Sequence, residues 1–207
     1  MEITEKLWKK NHEIALLCLN TKFVQGIKNG NLPKNIFKEY LSQDYFFLES
    51  FAKAYGMAVF KSKDKHTIKT LSKLLNGVSE ELILHEKYAR EWKIDLLNNK
   101  IKAATKQYTD FLYEVSQKYS AFEIMHAMVP CMRLYSWIGK SISNFGYDDR
   151  YKDWITTYSD KNFENLAKSL ETLINKSEDS NDVEKGNYLY KRAMELELDF
   201  FNTYSNF

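Results

Sequence analysis

Glycine and proline are nearly missing from this chain, with 7 and 2 in 207 residues. Sheet-rich folds need turn residues about every 8–12 positions, so a β-sandwich or barrel is excluded and long helices are expected. Cysteine is also scarce. Cys18 and Cys131 form no CxxC and no regular spacing, which excludes a disulfide framework and suits a reducing, cytoplasmic setting. No charge of one sign dominates, since 30 basic residues face 28 acidic ones for a net +2. Lysines are interleaved with Asp and Glu rather than gathered into the basic stripe that nucleic-acid binding requires, so no nucleic-acid partner is expected. No run approaches about 18 apolar residues, so no transmembrane helix is expected. The opening residues Met1 to Trp8 lack the apolar core of a signal peptide.

Histidine is short as well. His12, His66, His85 and His126 are the full set. The two Glu-x-x-His pairs of a di-iron bundle do not both occur, since Glu123 and His126 are the single pair at that spacing, His85 reads as having no partner one turn away, and no histidine follows His126. No metal site is therefore expected. The chain has no glycine-rich phosphate loop, and no nucleotide or other cofactor is expected.

What is present is a globular composition, 44% hydrophobic and 28% charged. A chain of this length buries about 70% of its extended surface. No linker or repeat divides it, so residues 1–207 read as a single all-α domain of about seven to eight helices. Hydrophobic periodicity places helices at about Thr4 to Thr21, Pro33 to Lys61, Asp64 to Trp92 (kinked at Asn76-Gly77) and Ala103 to Lys118. They continue at Ser120 to Asn144, Trp154 to Tyr158, Lys161 to Lys176 and Asp182 to Tyr204. Pro33 suits a first turn, Ser120 and Glu123 form a capping box, and Asn181 or Asp182 can cap the last helix.

The helix after Pro33 is apolar around most of its circumference, so it belongs in the interior. Asp44 lies within it, with Tyr40, Leu41, Phe47 and Leu48 one turn away on either side. An ionised carboxylate cannot be buried without partners except at great cost. Asp44 therefore faces either a polar cavity or donors in a structural pairing. Glu197 repeats the pattern among Ala193, Met194, Phe200 and Phe201, whereas Glu195 has Lys191, Arg192 and Asp199 for neighbours and reads as solvated. Apolar surroundings favour the protonated carboxyl, which suits general-acid work; a buried ion pair is the other reading. Cys131 sits among Ala127, Met128, Leu134 and Tyr135. A cysteine on such a face is commonly a small hydrophobe. Two details set it apart from Cys18, which reads as core: Pro130 cannot donate to the carbonyl of His126, and the Tyr135 hydroxyl lies one turn on.

These segments resemble the TenA/thiaminase II family. The resemblance runs over nearly the whole chain, through Phe23-Val-Gln-Gly-Ile, Leu32-Pro33 with Phe37 and Tyr40, and Gln43-Asp44-Tyr45-Phe46-Phe47-Leu48. It continues through Tyr108-Thr109, Val129-Pro-Cys-Met-Arg-Leu-Tyr135, Trp154-Ile-Thr-Thr-Tyr158 and Glu197-Leu-Asp-Phe-Phe201. It implies a heme-oxygenase-like helical bundle that binds no heme, a cytoplasmic homotetramer, and thiamine salvage. The reaction implied is hydrolysis of 4-amino-5-aminomethyl-2-methylpyrimidine to the hydroxymethyl pyrimidine and ammonia; many members also split thiamine. Carried onto this chain, Cys131 is the nucleophile, Glu197 the acid, and Asp44 the holder of the ring's amidine edge. Tyr135 and Tyr158 contact the pyrimidine, and Tyr108 and Phe47 line its site. Cys131 puts the chain in the cysteine-bearing branch. Two residues depart from the pattern: many members have tyrosine where Phe47 stands, with a hydroxyl that supports the cysteine, and many have tryptophan at Phe201.

Two other readings differ in class. A non-catalytic pyrimidine-binding or regulatory protein would keep Asp44 and the aromatics without needing Cys131 and Glu197 together. A metal-dependent oxidase on the same architecture is disfavoured by the histidine count.

Overall fold

A computed structural model describes residues 1–94, 96, 99–176 and 183–207. Among the described residues every regular element is a helix. The order is α1 (Ile3–Lys10), α2 (His12–Leu19), α3 (Lys22–Lys28), α4 (Lys34–Lys61), α5 (Lys65–Trp92) and α6 (Ala103–Lys118). Then come α7 (Ala121–Phe145), a 3-10 turn (Asp149–Tyr151), α8 (Lys152–Ser159), α9 (Lys161–Lys176) and α10 (Val183–Thr203).

Most expected boundaries lie within a residue or two of these. The first helix is an exception, because α1 and α2 are separated at Asn11. There the side-chain amide donates to the Leu7 carbonyl at 2.8 Å and the backbone leaves helical values at φ −109°. A side-chain bond of this kind competes with the helical ladder, and apolar periodicity does not register it. The expected kink at Asn76-Gly77 falls inside the uninterrupted α5. The Ser120 N–H donates to Glu123 Oε2 at 2.8 Å, the reciprocal half of the capping box. The expected caps at Asn181 and Asp182 lie outside the described residues.

The chain divides into two compact units. One comprises Met1–Pro33 with His126–Phe207, the other Lys34–Met125.

In the first unit, α10 packs on α2 and α3, and α9 receives α1 and α8. Arg133, on α7, ties three elements together. Its Nη1 donates to Glu171 of α9 at 2.7 Å, its Nη2 to Glu5 of α1 at 2.8 Å, and its guanidinium lies 4.6 Å from the Trp8 ring centroid. This planar fork with a flat underside serves two carboxylates and a ring at once, which lysine could not do. Gly30 adopts a left-handed φ of +65°, and a Cβ there would fall 2.2 Å from Asp148 Oδ1. The turn after α3 is thereby pressed against the loop before the 3-10 turn, and the Tyr151 hydroxyl donates to the Leu32 carbonyl at 2.5 Å to hold it.

In the second unit, α4 packs against both α5 and α6. Pro33 immediately precedes α4, and Asp64 caps α5 by accepting from the Thr67 N–H at 2.8 Å. Lys61 at the end of α4 donates to the carbonyls of Ser116 and Tyr119 at 2.7 and 2.6 Å, satisfying the C-terminal turn of α6. Gln43 accepts from the Lys102 N–H and donates to the Lys100 carbonyl at 2.8 and 2.9 Å, which fixes the approach to α6. α4 is less uniformly buried than its composition suggests. Phe37, Tyr40, Phe47, Phe51 and Tyr55 are buried, whereas Tyr45 and Phe46 are only half-buried.

Candidate active site

Every residue singled out as a site candidate is buried: Asp44, Phe47, Tyr108, Cys131, Tyr135, Tyr158 and Glu197. They fall into two groups, one in each unit.

The first group is built on α7, α8 and α10. Cys131 and Tyr135 lie one turn apart on α7, and Glu197 and Phe201 one turn apart on α10. The Tyr135 ring meets Tyr158 of α8 at 4.7 Å and Phe201 of α10 at 5.4 Å, with Trp154 at 6.0 Å. These edge-on and tilted contacts are the arrangements aromatic rings prefer. Phe201 stacks in turn on Phe23 at 5.7 Å. The faces of α7 and α10 that carry the thiol and the carboxyl are thus joined through aromatic side chains. Gly139 makes this possible. A Cβ there would lie 2.6 Å from the backbone carbonyl carbon of Tyr158, so only glycine lets α8 come close enough to α7 for the Tyr135–Tyr158 contact. Nothing in the linear pattern marks Gly139 for this role.

The two cysteines differ. Cys18 is fully buried, and burial, with the nearby Glu197 charge, pushes its thiol far above the ordinary range. Such a thiol cannot supply thiolate and is inert, which agrees with its reading as core. Cys131 retains slight exposure, 8%. Pro130 has no N–H to offer the carbonyl one turn back, yet α7 continues through it.

The second group lies on α4, α5 and α6. Asp44 is 3% exposed and accepts through Oδ2 from His85 Nε2 at 2.8 Å. The other ring nitrogen, Nδ1, lies 3.0 Å from the Glu81 carbonyl oxygen. A carbonyl can only accept, and so can a carboxylate. With Asp44 as a carboxylate, both bonds are made together when both ring nitrogens carry protons. Burial alone pulls the imidazole down, but the hydrogen bond and charge of Asp44, with Glu81 behind them, outweigh it and lift His85 to about 8. Beside Asp44, Phe47 meets Tyr108 of α6 at 4.7 Å and Phe51 at 5.2 Å.

His85 is the partner of Asp44 that sequence reasoning missed, and the expectation that it has no partner one turn away was mistaken, since Glu81 stands four residues before it. A signal was available: His85 continues the buried stripe of Leu71, Leu74, Val78 and Ala89. The donor atoms of Asp44, Glu81 and His85 all lie within 4.8 Å of one another, close enough in principle for a cation. The imidazole nitrogens are both committed to hydrogen bonds, so the donor set is that of an ion pair and no metal is assigned to it.

Comparison with known proteins bears on family and fold. Residues 8–206 match the TENA/THI-4/PQQC family. The chain is 31% identical to the mitochondrial bifunctional TH2 protein of Arabidopsis thaliana, over 95% of the chain and 36% of that protein's length. It is 30% identical to the aminopyrimidine aminohydrolase of Halalkalibacterium halodurans, over 98% of the chain and 91% of that enzyme. The fold superposes on a TenA family transcription regulator from Silicibacter sp. TM1040 with a TM-score of 0.93, at 25% identity over 99% of this chain and 97% of that one. It also superposes on heme oxygenase-1 of Synechocystis with a TM-score of 0.61, at 16% identity over 98% of this chain and 92% of that one. The architecture is therefore heme-oxygenase-like.

Proposed function

Because the chain belongs to the TENA/THI-4/PQQC family, we propose that it is a thiamine-salvage hydrolase acting on an aminopyrimidine. The reaction we assign is hydrolysis of 4-amino-5-aminomethyl-2-methylpyrimidine to the hydroxymethyl pyrimidine and ammonia, with Cys131 as nucleophile. The observation that carries this reading is the α7–α8–α10 constellation. It contains a slightly exposed thiol one turn from Tyr135, and Tyr135 contacts both Tyr158 and the Phe201 ring of the helix that carries Glu197.

The chemistry balances without a cofactor. The Cys131 thiolate forms a bond to an electron-poor ring carbon, and the displaced electron pair moves into the ring. The ring then expels the exocyclic amine by breaking its C–N bond while Glu197 supplies a proton, leaving an exocyclic methylene. Water adds to that methylene, the S–C bond breaks, and the thiolate and the aromatic ring are regenerated. The sum is substrate plus water giving alcohol plus ammonia. Tyr135, Tyr158 and Tyr108 supply aromatic surface for the flat ring, and Asp44 takes its amino edge. Phe47 has no hydroxyl to support the thiol, so this chain either activates Cys131 by other means than members with tyrosine there or turns over more slowly.

A panel of the aminomethyl pyrimidine, its formylamino precursor and thiamine, read by ammonia release and mass spectrometry, tests the assignment. Hydroxymethyl pyrimidine from wild type and none from Cys131→Ala is the expected result. Full activity in that variant overturns the thiol mechanism. A regulatory or pyrimidine-binding protein is the second reading, favoured by the likeness to the Silicibacter regulator. Tight pyrimidine binding with no product from any substrate would select it. We also propose a homotetramer in the cytoplasm. Exposed Phe60, Phe145 and Tyr188 offer apolar surface for such an assembly, and light scattering after gel filtration reads the mass.

A further inference from the structure

Asp44 is a site candidate with a charged partner among the described residues. The carboxylate is buried on α4, and among the described residues its hydrogen bond goes to His85 on α5, through Oδ2. His85 is itself 6% exposed and held from behind, Nδ1 to the carbonyl of Glu81 one turn earlier. The imidazole plane is thus fixed at both ends, and Asp44 Oδ2 is fixed by it. Within this unit the element packed on α5 is α4. The ionisable groups that face the imidazole are Asp44 from α4 and Glu81 from α5 itself.

We propose that His85 is a positioning residue for Asp44, whose imidazolium holds the carboxylate in one orientation so that its second oxygen receives the amino edge of an aminopyrimidine. This rests on the reading that Asp44 takes that edge. His85 touches no substrate and acts only through Asp44.

The consequence is a proton dependence that belongs to the pair. When the pair loses a proton, the imidazole can donate from only one nitrogen. If it keeps Nδ1–H for the Glu81 carbonyl, the Nε2 lone pair faces the carboxylate lone pairs and repels them. If it keeps Nε2–H for Asp44, the Glu81 carbonyl loses its donor and the ring loses its rear support. Either way the orientation of Asp44 is released. Ligand binding therefore weakens as pH rises through about 8, a limb that a neutral amide in place of the imidazole does not have.

The test is calorimetric titration of purified full-length protein with 4-amino-5-hydroxymethyl-2-methylpyrimidine. This is the hydrolysis product, so no turnover intrudes. Wild type, His85→Gln and Asp44→Asn are compared from about pH 6.5 to about pH 9.5, spanning the histidine transition. Gln keeps an N–H donor for Asp44 but does not titrate; if His85→Gln does not fold by circular dichroism, His85→Asn takes its place. Wild-type Kd should rise about tenfold between about pH 7 and about pH 9, while the amide variant changes by less than about twofold, and Asp44→Asn should bind weakly throughout. Ionisation of the ligand affects wild type and amide variant alike and cancels in the comparison. An amide variant that retains the wild-type limb, with binding lost in Asp44→Asn, overturns the role of His85 and leaves Asp44 as the ring holder. Asp44→Asn that binds as wild type does overturns the Asp44 reading itself.

Discussion

Asp44 and Glu197, the two buried acids among the described residues, are housed in different ways. Asp44 faces a histidine that donates at 2.8 Å and is itself braced by a carbonyl. Glu197 lies near a thiol whose ionisation its charge opposes, on a helix whose next turn is Phe200 and Phe201. A carboxylate paired to a cation stays ionised and oriented, which suits holding a ligand. A carboxyl set among apolar and aromatic neighbours suits passing a proton. The residue types are nearly the same, and on the proposed reading the neighbours divide the work. The thiols repeat the lesson, since Cys18 is sealed and Cys131 is not.

Four experiments bear on this contrast, from the largest expected effect to the smallest. Replacing the thiol tests the chemical half: Cys131→Ala should lower kcat by at least about 10³-fold, as removal of a nucleophile does, while binding of the product pyrimidine persists. Asp44→Asn tests the holding half. Loss of a charge-assisted hydrogen bond of about 1.5–3 kcal/mol should raise KM by about 10- to 100-fold, with a smaller change in kcat. If Asp44→Asn instead lowered kcat alone, the division of labour would be wrong.

Gly139→Ala comes third. Its Cβ would sit 2.6 Å from the Tyr158 backbone, so α8 must move and Tyr158 must leave Tyr135. Overpacking of this kind costs about 1–3 kcal/mol, read as a lower melting temperature, together with a several-fold rise in KM. The smallest effect is a pH slope. His85 is raised from 6.5 to about 8 on folding, so its stabilisation is complete below about pH 6.5 and disappears as pH rises through about 8. One and a half pKa units correspond to about 2 kcal/mol. Denaturant midpoints of wild type should fall over that interval, and those of His85→Gln should not.

The helices were legible because apolar spacing and scarce glycine leave few alternatives; α6 and α9 run from Ala103 to Lys118 and from Lys161 to Lys176 as expected. The break at Asn11 was not, since it depends on one side-chain amide returning to Leu7. Asp44, Cys131 and Glu197 stood out because each is a reactive group in an apolar frame, and all three are buried. Their context was less visible. His85 answers to a residue 41 positions away, and Gly139 answers to the backbone of another helix, so neither leaves a periodic trace. Tyr45 and Phe46 show the opposite error, because aromatic character alone does not place a residue inside.

Arg133 follows Cys131 by two residues on the same helix, and its grip on Glu5 and the Trp8 ring makes α1 part of what holds that helix. Trimming the first eight residues would strip the guanidinium of one carboxylate and its aromatic seat while leaving Glu171 in place. The helix bearing the sulfur would then lose its tie to α1 and keep those to α8, α9 and α10. In this way α1 bears on how steadily the thiol is held.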